Sequence, residues 1–189
     1  SRCLDALERL FLGLERWQDY LDALRQKAEI APSLEAKKDV YFGIASTFQL
    51  QLDDAVGAIE TYVQIVEWDP SYIRALRSLD QLYESLEQWE EQKQTLEQQI
   101  ALVEGDEAIL SLRFRLAQLS QMQLGDLEAA LTDYSGILQD APNHQQTLGA
   151  LELMIREDSE ADMALAILEE CLTEQEQWSR LITIWRDYL

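Results

Sequence analysis

The side chains that could do chemistry are few, and their spacing is wrong for it. His144 is the sole histidine, so a Ser-His-Asp or Cys-His arrangement for nucleophilic catalysis would have to use it. It stands beside Pro142 and Asn143 at a predicted helix start, where a capping-turn role accounts for it without a substrate. The sequence has no HExxH, no GxxxxGK phosphate loop, no GxGxxG and no EF-hand loop, so zinc, nucleotide and calcium sites lack their minimum ligands. Cys3 and Cys171 are far apart and show no CxxC or His-paired spacing, which leaves them as small apolar residues or free thiols. Paired carboxylates such as Asp53-Asp54 and Glu90-Glu91 are the raw material of acid-base catalysis, but in so acidic a chain they read as helix N-terminal charges or solvated faces. The expectation is therefore no catalytic residue, no metal and no cofactor.

Composition narrows the remaining classes. Thirty-six acidic against 15 basic residues give a formal charge of −21, which repels nucleic-acid phosphates and anionic membrane surfaces, so no nucleic-acid partner is expected. No apolar run approaches the ~18 residues that a membrane-spanning helix needs, and no signal-peptide core is visible. Membrane insertion is not expected, and a cytoplasmic setting is the default. The 189 residues are 47% apolar, enough for a substantial core. With only 7 Gly and 3 Pro, and with Leu, Ala, Glu, Gln and Arg abundant, the chain is expected to be all-α.

The elements that would position any site follow from an internal repeat of 72 residues. Leu7, Leu10, Phe11, Leu14, Glu15 and Trp17 recur as Leu79, Leu82, Tyr83, Leu86, Glu87 and Trp89. Ile44, Ala45, Leu52, Asp54, Ala58, Tyr62, Ile65 and Pro70 recur as Leu116, Ala117, Leu124, Asp126, Ala130, Tyr134, Ile137 and Pro142. Each block holds two hairpins, with apolar positions at three- and four-residue steps that form a helical stripe needing cover. Asp69-Pro70-Ser71 and Ala141-Pro142-Asn143 separate hairpins, with Ser71 and Asn143 as expected N-caps. Helices are predicted over 4–14, 17–30, 34–51, 54–67, 71–86, 89–104, 107–123, 126–139, 144–156, 160–174 and 177–189. Trp178 follows Trp89 by 89 residues, so the helix around 144–156 is read as an addition that interrupts regular stacking. The expected organisation is one array with repeats at 4–75 and 76–147 and an irregular unit at 148–189.

These residues resemble the tetratricopeptide-repeat (TPR) family. Ile44-Ala45 stand where the family has Leu-Gly, Phe48 where it has Tyr, and Ala58, Tyr62, Ile65 and Pro70 complete the pattern. The unit ending at Pro142 repeats it with Leu116, Ala117, Ala130, Tyr134 and Ile137, except that Ser120 replaces the aromatic. The alternating "ERW" and "LGD" hairpins are similar to those of long bacterial TPR proteins. The resemblance implies an α-solenoid of tandem antiparallel hairpins, with about 10–11 helices, and a function as a protein-binding scaffold or adaptor.

It also implies where a partner would sit. The family's inner, concave positions fall on Arg2, Asp5 and Arg9; on Asp39, Phe42, Ser46 and Gln49; on Arg74, Arg77, Gln81 and Glu84; and on Ser111, Phe114, Gln118 and Gln121. Arg74 and Arg77 are three apart on one helix and are expected to grip a carboxylate together, with Phe42 and Phe114 as apolar walls and Gln81 and Gln118 as polar lining. The Lys-Asn pattern of carboxylate-clamp TPRs is absent. The competing surface for a basic partner is the acidic second helices, around Glu87, Glu90, Glu91 and Glu97.

Trp17, Trp89 and Trp178 are expected to be packing anchors, and Trp68 and Trp185, which break the repeat, to be interface candidates. Leu4, Leu7, Leu10 and Phe11, and Leu181, Ile184, Trp185 and Leu189, form terminal apolar stripes. In a solenoid such ends imply a fragment of a longer array, or self-association in which Ile184 and Trp185 take part.

Overall fold

The structure is a computed structural model that describes residues 2–157 and 160–188, without the side chains of residues 2–5, 8, 187 and 188. Among the described residues it contains eleven α-helices and no strand. In order they are α1 (Arg2–Gly13), α2 (Trp17–Glu29), α3 (Leu34–Gln51), α4 (Ala55–Trp68), α5 (Ile73–Ser85), α6 (Trp89–Leu102), α7 (Asp106–Leu119), α8 (Leu127–Asp140), α9 (Gln145–Arg156), α10 (Ala161–Glu174) and α11 (Trp178–Tyr188). A π-helical turn, Ser120–Leu124, extends α7. The chain divides into two compact units, Ser1–Gln88 and Trp89–Leu189.

In the first unit α1 to α5 pack as consecutive antiparallel neighbours. Ala45, Ala58 and Ala75 are fully buried, and their single methyl groups let α3, α4 and α5 approach closely. Tyr62 and Ile65 fill the space between them, each such burial contributing about 1.5–3 kcal/mol. A second cluster, Leu21, Leu24 and Ile44 with Phe48 against it, closes α2 onto α3. Ser33 caps α3 by accepting from the Ala36 amide at 3.2 Å, and Asp54 caps α4 by accepting from Gly57 at 2.9 Å.

The second unit repeats the plan. Ala117, Ala130, Tyr134 and Ile137 are buried where their counterparts 72 residues earlier are, and Asp126 caps α8 as Asp54 caps α4. The helix around 144–156 does not interrupt the packing: α9 lies against α8, α10 and α11, with Leu148, Leu151 and Met154 fully buried.

The expected caps Ser71 and Asn143 are displaced by one position. Tyr72 and His144 precede α5 and α9, while Ser71 donates to Asp69 Oδ1 from both its amide and its hydroxyl. The "ERW" motif is a helix-ending turn used three times. Glu15, Glu87 and Glu176 adopt left-handed φ values of 54, 56 and 57°. The next amide (Arg16, Gln88, Gln177) donates back to Phe11, Tyr83 and Leu172 at 3.0, 2.9 and 2.9 Å, as in a Schellman ending. The tryptophan then opens the following helix.

Candidate functional site

The first unit gathers a charged and aromatic cluster on the face built from α3 and α5. Phe42 of α3 is half-buried, with ring centroids 5.3 Å from Tyr62 and 6.2 Å from Tyr72. Arg74, in the first turn of α5, lays its guanidinium 4.2 Å from the Phe42 ring centre. Its Nη1 donates to the Tyr72 hydroxyl at 3.3 Å and lies 3.7 Å from Asp39 Oδ1. The Tyr72 hydroxyl in turn donates to Asp39 at 3.1 Å, and burial, then that hydrogen bond, raises its pKa. Arg77 and Gln81 follow on the exposed side of α5, and Arg77 has no ion-pair partner among the described residues.

Beside this face lies a part-buried ion pair. Lys38 is only 5% exposed, and its ammonium donates to Asp69 at 2.5 Å, reaches Glu35 at 2.7 Å and sits 5.0 Å from the Tyr72 ring centre. The bonds to Asp69 and then Glu35 raise the lysine pKa, and Lys38 first, Ser71 second, hold the Asp69 carboxyl down at about 2. Asp39 also borders an apolar cleft of about 460 Å³ between α2 and α3, walled by Tyr20, Leu24, Ile30, Pro32 and Val40.

The second unit keeps the aromatic frame and loses the charges. Phe114 packs between Tyr134 and His144, at 5.9 and 5.6 Å, as Phe42 does between Tyr62 and Tyr72. At 9% exposure Phe114 is a core residue, and the expectation that it forms an open apolar wall does not hold. Gln118 is half-buried. Lys38, Asp39, Asp69 and Arg74 correspond to Leu110, Ser111, Ala141 and Gln146, so of the charge cluster only Glu35 recurs, as Glu107. What recurs is structural, including a buried tyrosine hydroxyl on a glutamine: Tyr62 to Gln49 at 3.4 Å and Tyr134 to Gln121 at 2.8 Å. What does not recur is peculiar to one face.

The other sequence candidates separate in the same way. His144 caps α9, its Nδ1 accepting from the Thr147 amide at 3.3 Å. Trp17 and Trp89 are half-buried, but Trp178 is 53% exposed and anchors little. Trp68 stacks edge-on against Tyr41 at 4.6 Å under the Lys37 ammonium, which occupies it internally. Its counterpart in the second unit is an ion pair, Arg113 with Asp140 at 2.5 Å. Ile184 is buried in the core, not displayed on an end stripe, whereas Trp185 is 39% exposed. Cys171 is a buried free thiol, and burial raises its pKa. The side chains of Arg2, Asp5, Cys3 and Leu4, and Leu189, lie outside the described residues. Among the described residues no group of His, Cys, Asp or Glu is placed to hold a metal, and no helix is long and apolar enough to cross a membrane.

Lys38, Asp69 and Tyr72 were not sequence candidates. Lys38 looks like any helical lysine, and its partner lies 31 residues away, so no local spacing signals the pair.

No protein-family model and no curated protein sequence matches the chain. Solved structures do. A tetratricopeptide-repeat protein from Parabacteroides merdae superposes with a TM-score of 0.58 at 12% identity, covering 100% of this chain and 72% of that one. MamA superposes with a TM-score of 0.53 at 14% identity, covering 92% of this chain and 97% of that one. With the eleven helices and the repeated small-residue core, these likenesses show that the chain has the fold of a TPR-like helical repeat, an all-α solenoid of tandem hairpins.

Proposed function

We propose that the protein is an interaction scaffold, not an enzyme, and that the α3/α5 face of its first unit holds an acidic segment of a partner polypeptide. The observation that carries this reading is the placement of Arg74. Its guanidinium is stacked on Phe42 and steadied by Tyr72, while its exposed pairing with Asp39 at 3.7 Å contributes only ~0–1 kcal/mol and yields to a better acceptor. Arg77, one turn along, adds a second set of donors for the same carboxylate. The cleft beside Asp39 offers an apolar neighbour of the partner's acidic group a place to be buried. The cluster is also absent from the second unit, which keeps the same aromatic frame without it.

The test is affinity capture from lysate of the source cells by the wild type and by Arg74→Glu with Arg77→Glu, side by side. Two charge-assisted hydrogen bonds of about 1.5–3 kcal/mol each predict at least a ~100-fold loss for a partner held on this face. Identical captures by the two proteins would refute it.

A second reading, assembly of copies through the terminal helices, is favoured by Leu10 at 53% and Ile182 at 67% exposure. It predicts a concentration-dependent mass that falls on Ile182→Glu or Trp185→Glu, measured by sedimentation equilibrium. A charge at Ile184 is unsuitable because that side chain belongs to the core.

A further inference from the structure

The 72-residue register permits a position-by-position comparison of the two units, and at one place they diverge as a group. In the first unit Leu21, Ile44 and Phe48 pack into one apolar cluster. A Cβ on Gly57 would lie 2.7 Å from the capping Asp54 Oδ2 and 3.2 Å from the Phe48 ring, so both the cap and the aromatic crowd that position. The corresponding residues of the second unit are Lys93, Leu116, Ser120 and Ala129. Beside Ser120 and Ala129 there is an open, solvent-facing depression of about 490 Å³ between α6, the π-helical turn and α8.

The walls have changed with the filling. Arg25, Val56 and Thr61 of the first unit correspond to Glu97, Glu128 and Asp133, which line the depression with Asp126 and Lys93. Four carboxylates thus face one ammonium, which lies 4.0 Å from Asp126. Arg113, on α7, is the other cation whose charge reaches Asp133, and burial, acting against it and Lys93, raises the Asp133 pKa. Ser120 also lines the depression. It is 0% exposed, and its Oγ has no hydrogen-bond partner among the described residues. It begins a π-helical turn, a distortion common at functional sites.

We infer that this depression receives the ammonium or guanidinium end of a lysine or arginine side chain of a partner polypeptide. A cationic head is donor-only, and apart from the Lys93 ammonium the polar lining offers acceptors: the carboxylates of Glu97, Asp126, Glu128 and Asp133 and the Thr132 hydroxyl, with the unpaired Ser120 hydroxyl buried at the floor. The site lies wholly within the second unit and is independent of the Arg74 reading.

The test uses the full chain in ~0.15 M salt, where long-range attraction to the acidic surface is screened. An acetylated, amidated Ala-Arg-Ala peptide and its norleucine counterpart are titrated while the amide resonances of residues 120–133 are followed by NMR. The decisive variant is Ser120→Phe with Ala129→Gly, which restores the first unit's filling without altering net charge. Asp133→Asn is the second variant, and it serves if the first does not fold. The expected result is saturable shifts confined to the depression for the arginine peptide alone, weakened at least ~10-fold in either variant. Shifts that spread over the acidic surface, that persist in the variants, that appear equally with norleucine, or that never saturate would each overturn the inference.

Discussion

Replacing Glu87 by glycine should stabilise the protein, whereas replacing it by alanine should not. Glu87 ends α5 at a φ of 56°, a left-handed conformation that costs a residue with a Cβ roughly 1–2 kcal/mol. Its side chain is exposed, so truncation removes no packing. Glycine relieves the steric cost and returns roughly 0.4–1 kcal/mol of it as extra freedom in the unfolded chain. Glu87→Ala deletes the same carboxylate and keeps the steric cost. The difference between the two variants therefore isolates the backbone, because both change the charge of −21 equally. Glycine should exceed alanine by about 1 kcal/mol, or ~2–4 °C in Tm for a chain of this size. The reverse change, Gly125→Ala at a φ of 67°, should lose a similar amount, since Gly125 stands where the first unit has Asp53 at 52°. Urea unfolding followed by circular dichroism and by the fluorescence of the nearby Trp89 measures both. If Glu87→Gly is no more stable than Glu87→Ala, the turn is not strained and the account of the motif is wrong.

Two further outcomes follow from polar pairs at Tyr134 and Asp69. Tyr134→Phe should cost ~1 kcal/mol near neutrality, because the fully buried hydroxyl donates to Gln121 at 2.8 Å. Burial pushes the Tyr134 phenol up to about 12 from its ordinary 10.0, so the wild type holds this contribution below pH 10 and loses it as pH rises to 12. The gap between wild type and variant should narrow over that window; urea midpoints at pH 9 and 11.5 that differ by a constant amount would contradict this. Asp69, held at about 2 from an ordinary 3.8 by Lys38, contributes stability above pH 3.8 that is lost as pH falls through 2. Asp69→Asn should therefore be less stable than wild type at neutral pH and converge with it near pH 2, as acid titrations of the unfolding transition would show.

The helices were legible because the forces that make them are local. Apolar residues at three- and four-residue steps, proline after α4 and α8, and Asp54 and Asp126 as caps act within one or two turns of the chain. The 72-residue repeat carried the same reading to the buried alanines and tyrosines, since equal patterns require equal neighbours. Periodicity could also mark the stripe on which Phe42, Phe114 and Ile184 lie, but not how deeply each is covered. That depth is set by side chains arriving from other helices: Tyr134 and His144 enclose Phe114, while Arg74 leaves Phe42 half-open.

The charged pairs are the clearest case of what tertiary structure alone decided. Lys38 meets Asp69 across 31 residues, and Arg74 meets Asp39 only because α5 returns beside α3. The substitution of Ser120 for an aromatic was visible in the sequence as a departure from the repeat. That an open depression edged by carboxylates lies beside it depends on how α6 and α8 are placed, and no one-dimensional pattern records the space between helices.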